Sequence, residues 1–102
     1  MIGLVEFSVV PIGTAKTSVS EYVKIAYSIL KSSSFKFEFH SMGTVVEGDI
    51  KEILDMIMEI NKIFEKRGIK RVITSVKIDY RIDKISTIQN KIESVVGGDD
   101  EQ

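Results

Sequence analysis

Between Phe39 and Asp49 the chain places His40, Thr44 and Glu47 among apolar neighbours. These side chains could hold a small polar molecule. The imidazole both donates and accepts, the hydroxyl does the same, and the carboxylate only accepts. Met42, at the tip of a turn, is apolar and should cover something, either a ligand ring or a neighbouring subunit. His40 alone makes neither a metal site nor a triad, and with no cysteine in the chain there is no thiolate nucleophile and no disulfide. The chemistry in view is recognition rather than catalysis.

The elements around this stretch carry clear signals. Phe35, Phe37 and Phe39 alternate with Lys36, Glu38 and His40, the period-two pattern of a half-buried strand. Ser41-Met42-Gly43 supplies the turn, with Gly43 free to take a positive φ. A three-residue loop would pair His40 with Thr44 and Glu38 with Val46. Those four would then share one face, leaving Phe37, Phe39, Val45 and Glu47 on the other. Asp49 with Glu52 reads as an N-cap and capping box.

That box opens a helix from Ile50 to Arg67, with Ile50, Ile53, Leu54, Ile57, Ile60, Asn61 and Phe64 on its buried stripe and Gly68 as its stop. Upstream, Leu4 to Val10 is a strand with Val5, Phe7 and Val9 on the core side, ended by Pro11-Ile12-Gly13-Thr14. Ser18 and Glu21 form a second capping box before a helix whose stripe is Val19, Val23, Ala26, Tyr27 and Leu30. Downstream, Arg71 to Arg81 is the last long strand, and Ser86 to Val96 is a short helix.

The order β-α-β-β-α-β plus a short helix predicts an α+β, ferredoxin-like domain over residues 1–96. Its antiparallel sheet has four strands in the order 4-1-3-2, with both long helices on one face. The opposite face should carry Glu6, Ser8, Glu38, His40, Thr44, Val46, Ser75, Lys77, Asp79 and Arg81. Lys77 or Arg81 is placed to pair with Glu6. Such a mixed face implies sheet-to-sheet association or a bound ligand. The acidic tail, 97–102, should be frayed.

Composition narrows the classes. The 102 residues suit one domain; 43% are apolar and 28% charged, as in ordinary globular proteins. The net charge of −1 argues against nucleic acid. No apolar run is long enough for a membrane helix and no signal peptide opens the chain, so a cytoplasmic protein is expected. An RNA-recognition sheet would need aromatic rings where Glu6, Ser8, Thr44 and Val46 stand. A metallochaperone would need paired cysteines. An acylphosphatase-like enzyme would need an arginine where Ile12-Gly13-Thr14-Ala15 stands. A purely structural or regulatory oligomer module stays open.

Pro11-Ile12-Gly13-Thr14, Met42-Gly43-Thr44 with Glu47-Gly48, Ile78-Asp79-Tyr80-Arg81 and Lys91-Ile92-Glu93-Ser94-Val95 occur in this order at these separations. Together they resemble the small thiamine-binding family (YkoF-like, DUF77, UPF0045) over about residues 2 to 96. The resemblance implies a ferredoxin-like fold, a homo-oligomer (dimer or tetramer), and non-catalytic binding of thiamine or its hydroxymethylpyrimidine part, with no cofactor. It implies ligand contacts from Ser8, Met42, Gly43, Thr44 and Glu47, with His40 just ahead of the shared motif. Two roles are open to Glu47. It could read an aminopyrimidine edge, or it could support the helix start at Asp49. Strand parity favours the second, because Glu47 faces away from Thr44 unless a bulge intervenes.

Overall fold

The computed structural model describes residues 1–13 and 20–97. Among them the elements are β1 (Ile2–Ile12), α1 (Ser20–Ser32), β2 (Lys36–His40), β3 (Gly43–Asp49), α2 (Ile50–Lys66), β4 (Arg71–Asp79) and α3 (Ile88–Val96). The strands lie in the order β2-β3-β1-β4, every neighbouring pair antiparallel. This is the expected ferredoxin-like α+β arrangement, with the two long helices on one face. Ser18 and Val19 lie outside the described residues, as does the tail beyond Gly97.

The core forms where the apolar parities of β1 and β3 meet the stripe of α2. Val5, Phe7 and Val46 pack with Leu30 of α1 and with Ile50, Ile53, Ile57, Ile60 and Phe64 of α2. The alternating three- and four-residue spacing of that α2 set keeps all five side chains on one side. Each such burial contributes about 1.5–3 kcal/mol. Phe37 and Phe39 face the helices as well, both edge-on to Tyr27 at 5.9 and 5.4 Å between ring centres.

Helix α1 is rotated from the expected stripe. Tyr22, Ile25, Ala26, Ile29 and Leu30 turn to the core, while Val23 and Tyr27 are 43% and 42% exposed. Both stripes are apolar enough to read as buried. The rotation seats Tyr22 edge-on against Phe64, 5.1 Å between centres, and encloses two isoleucines in place of one valine.

The hairpin differs by one residue from the expected register. His40 pairs with Gly43, Phe39 with Thr44, Glu38 with Val45 and Phe37 with Val46, so the loop is the two residues Ser41 and Met42. Because side chains alternate strictly, this moves every β3 residue to the other face. Thr44 and Val46 are therefore buried on the helix side, not on the outer face. Val45 and Glu47 join Glu6, Ser8, Glu38, Ser75, Lys77 and Asp79 outside, as the pairings of β1 dictate. Gly43 is not a turn residue but the first residue of β3. A Cβ there would sit 2.8 Å from the Phe7 carbonyl oxygen, so it is the close approach to β1 that requires glycine.

Two other expectations shift. Pro11 does not end β1, which continues beside β4 through Pro11 opposite Val72 and Ile12 opposite Arg71. Its pairing with β3 stops earlier, at Phe7 opposite Thr44. The outer-face acid Glu6 meets His40, with Oε2 to Nε2 at 3.5 Å, rather than Lys77 or Arg81. Arg81 lies beyond β4 and pairs with Asp83 instead.

The ends of α2 behave as expected. Gly68, at φ 91°, lies just past the helix. Its N–H donates to Glu65 O and that of Ile69 to Phe64 O, the paired bonds of a Schellman stop. Gly68→Ala should destabilise by about 1 kcal/mol, read by urea unfolding, since the added Cβ resists the left-handed conformation.

At the other end, Asp49 accepts the Glu52 N–H at 3.0 Å and faces the Met1 ammonium at 3.1 Å. Its carboxyl titrates below the usual value, first through the Glu52 bond and then through the ammonium. A depressed folded pKa gives stability that is full above the unfolded value of 3.8 and is lost as pH falls through the folded one. Asp49→Ala should therefore lower Tm at neutral pH, and the gap to wild type should close by about pH 2.

Candidate functional site

The unequal lengths of β1's two ladders create the site. From Ser8 onward β1 has β4 on one side and, among the described residues, no strand on the other. Pro11, which has no N–H to offer a second neighbour, stands in this half. The gap left beside Val9 and Pro11 is bounded by the hairpin end and by α1. It forms a cleft of about 230 Å³ lined by Phe7, Val9, Tyr22, Ala26 and Phe39 as apolar walls. Val23, turned out of the core by the rotation of α1, also borders it.

Five of the six residues singled out in the sequence meet here: Ser8, His40, Met42, Gly43 and Thr44. Thr44 is 4% exposed, and its hydroxyl makes no hydrogen bond to another described residue. Ser8 borders the cleft from the strand, although its parity is that of the outer face, opposite Ser75. Met42, 82% exposed, overhangs the mouth. His40 is held from both ends. Its Nδ1 accepts the Met42 N–H at 3.3 Å, and its Nε2 lies 3.5 Å from Glu6 Oε2.

Glu47 is the exception. It lies on the outer face, opposite Leu4 and Lys36, and its Oε1 accepts the Ile88 N–H at 2.8 Å. It does serve a helix start, but that of α3 rather than that of α2. Thr87 caps the same end by accepting the Asn90 N–H at 2.9 Å, so α3 begins two residues later than the sequence pattern suggested. Lys91 adds an ion pair to Asp79 of β4. The tethering of α3 was not visible in the sequence, because the partners are 41 residues apart.

Cleft residues missed in the sequence were the apolar ones. Phe39 and Val9 read as core, Tyr22 lay off the expected stripe of α1, and only the early end of the β1–β3 ladder turns them toward an opening. Among the described residues no three His, Asp or Glu side chains come together to hold a metal ion. No described helix is long and apolar enough to cross a membrane.

The fold and cleft define a small ferredoxin-like domain with a mostly apolar, one-sided recess. The chain belongs to the thiamine-binding protein family, whose sequence model it matches over residues 5–96. Relatives include the UPF0045 protein MJ1052 of Methanocaldococcus jannaschii, 41% identical over 90 residues, with 88% of each chain covered. The UPF0045 protein YqgV of Bacillus subtilis is 34% identical, with 92% of this chain and 94% of that one covered. The crystal structure of MJ1052 superposes with a TM-score of 0.82 at 39% identity, covering 92% of this chain and 95% of the other. A Thermotoga maritima protein provisionally assigned to thiamine biosynthesis or salvage superposes with a TM-score of 0.78 at 26% identity, covering 93% and 99%.

The placement of Glu47 leads to a test. Glu47→Ala should loosen α3, raising the exchange rates of its amide hydrogens about ten-fold, the loss of roughly one hydrogen bond to a charged group. Signals of Thr44 and Gly43 should stay unchanged in the same spectra.

Proposed function

We propose that this protein is a non-catalytic binder of thiamine or its hydroxymethylpyrimidine part, and that the ligand sits in the cleft between β1, the hairpin and α1. The observation that carries the reading is Thr44, a residue only 4% exposed that lines an apolar recess and whose hydroxyl, not itself enclosed, makes no hydrogen bond to another described residue. Pockets for small organic molecules combine an apolar lining with a few such convergent polar groups. Tyr22, Phe7 and Phe39 offer ring surfaces to a flat heterocycle. Family membership supports the ligand class, and the Thermotoga maritima neighbour points the same way.

Size decides how much of thiamine is enclosed. A cleft of about 230 Å³ is below the ~300–1,000 Å³ typical of pockets that bury drug-sized ligands. One ring fits better than two. In this reading the pyrimidine is enclosed and the thiazolium half lies at the mouth near Met42. Glu47 plays no part in it, since it serves α3 on the opposite face. The protein acts in the cytoplasm as a homo-oligomer, a dimer or tetramer, for which the exposed Val10, Ile12 and Ile73 supply apolar surface.

Calorimetry with thiamine and with each of its halves tests this. The pyrimidine half should retain most of the affinity and the thiazole half little. Thr44→Val, which keeps the shape and removes the hydroxyl, should weaken binding about three- to ten-fold, the value of one ordinary hydrogen bond. Its Tm should hold or rise. Absence of binding by the wild type at millimolar ligand would replace this reading with that of an oligomeric interaction module.

A further inference from the structure

We propose that the recess between the segment after β4 and helix α3 is a second binding site, built for the phosphate group of a small hydroxylated monoester. It is a cavity of about 280 Å³, with Arg81, Lys84 and Ser86 on one wall and Asn90, Lys91 and Ser94 on the other. None of these residues borders the cleft at Thr44, so the proposal does not rest on the function assigned to that cleft.

A buried polar residue marks the recess as a site. Ser86 is 6% exposed, yet its hydroxyl, not itself enclosed, makes no hydrogen bond to another described residue. A polar group on a residue this buried ordinarily has a partner. Thr87, the next residue, spends its hydroxyl on the Asn90 N–H as the cap of α3. Ser86 has no such duty and borders the recess. The opposite wall is fixed in place, because Glu47 holds the Ile88 N–H and Lys91 pairs with Asp79. Two of the leading amides of α3 are thereby already used, so the site relies on side chains and not on the helix end.

Charge then selects the ligand. Among the described residues three cations and no carboxylate line the recess. Lys84 has no ion pair among the described residues. Arg81 engages Asp83 through Nε and Nη2, which leaves Nη1 to other acceptors. A cation meets repulsion here, and an apolar molecule would displace water from three charged groups for contact with Ile85 alone. An oxyanion instead meets charge-assisted donors on Lys84 and Arg81, joined by the Ser86 hydroxyl and the Asn90 carboxamide. A tetrahedral phosphate has oxygens enough to take donors from both walls.

The rest of the ligand is read from Ser94. Its Oγ donates to the Lys91 carbonyl at 2.9 Å, so toward the recess it only accepts. An acceptor at the margin of an anion site suits the hydroxyl of an attached alcohol and disfavours a further phosphate oxygen. Ile85 offers apolar contact to the carbon chain of such an alcohol.

Titration of the full chain with inorganic phosphate and with glycerol phosphate, at constant ionic strength, tests the site. Both should shift the amide signals of Ser86, Asn90 and Lys91 saturably in the millimolar range and leave those of Gly43 and Thr44 unmoved. The ester should act at no higher concentration than phosphate itself. Lys84→Gln should weaken both about ten-fold, and Ser86→Ala about three- to ten-fold. Neither side chain has a partner in the described chain, so Tm should hold in each variant. Shifts that chloride reproduces, or that grow without saturating, would be screening of surface charge and would overturn the proposal. Unchanged binding in both variants would overturn it as well. An ester that binds more weakly than inorganic phosphate would overturn the roles given to Ser94 and Ile85.

Discussion

The two-residue loop of Ser41 and Met42 is the constraint on which the rest of this structure depends. It sets Phe39 opposite Thr44 and Phe37 opposite Val46, and through β3 it sets Val46 opposite Val5. Strict alternation then leaves each hairpin side chain one face. Thr44 and Val46 go under the helices with the phenylalanines; Val45 and Glu47 go outside with Glu6 and Lys77. One residue more in the loop would reverse this. It would bury Glu47 beside Phe37, where an unpaired carboxylate is costly. The fold avoids that cost, and Glu47 becomes free to hold α3.

The same register limits the cleft. Gly43 lets β3 begin against the Phe7 carbonyl, and nothing of β3 extends past that point. Beyond it β1 continues with β4 alone among the described residues. The strand that supplies Val5 and Phe7 to the core thus supplies Val9 and Pro11 to the cleft floor. Core and cleft are successive stretches of one strand face, separated by where a neighbouring strand stops. Apolar walls are what such a construction yields, and the few polar groups must come from the hairpin tip. Thr44 faces inward there, while His40 is fixed at the rim by the Met42 amide and Glu6.

Much of this was legible in the residues. The element order, the Asp49 cap, the Gly68 stop, the α2 stripe and the strand order all follow from local periodicity and capping chemistry. The register was not, because Ser41-Met42-Gly43 suits a two-residue or a three-residue loop equally well by composition. Gly43 is a turn glycine only in the three-residue case and a strand residue in the other. What distinguishes the loops is the approach of Gly43 to Phe7, a contact between strands far apart in sequence. The rotation of α1 is similar. Val23 and Tyr27 are as apolar as Ile25 and Ile29, and only the position of Phe64 on another helix decides between them. Five cleft residues were found because they are close in sequence or share a motif; Glu47 joined them only on that basis, and its partner on α3 was out of local reach.

The outer face is divided in two by α3. At the Leu4 end, Ile88 and Ile92 stand over Leu4 and Val45, with Lys91 on Asp79 and Glu47 on the Ile88 amide. Leu4 is only 7% exposed, as a residue of this parity can be only if something covers it. At the Ile12 end nothing described does the same, and Val10, Ile12 and Ile73 remain open. A helix with no fully buried residue of its own gains little from packing. It is held instead by one carboxylate and one ion pair, both at least partly open to water. Such ties are weak individually and depend on the strands beneath being in register. The short helix therefore follows the sheet rather than shaping it, and the sheet's two faces differ accordingly: core and cleft beneath the long helices, charge and open apolar surface on the other side.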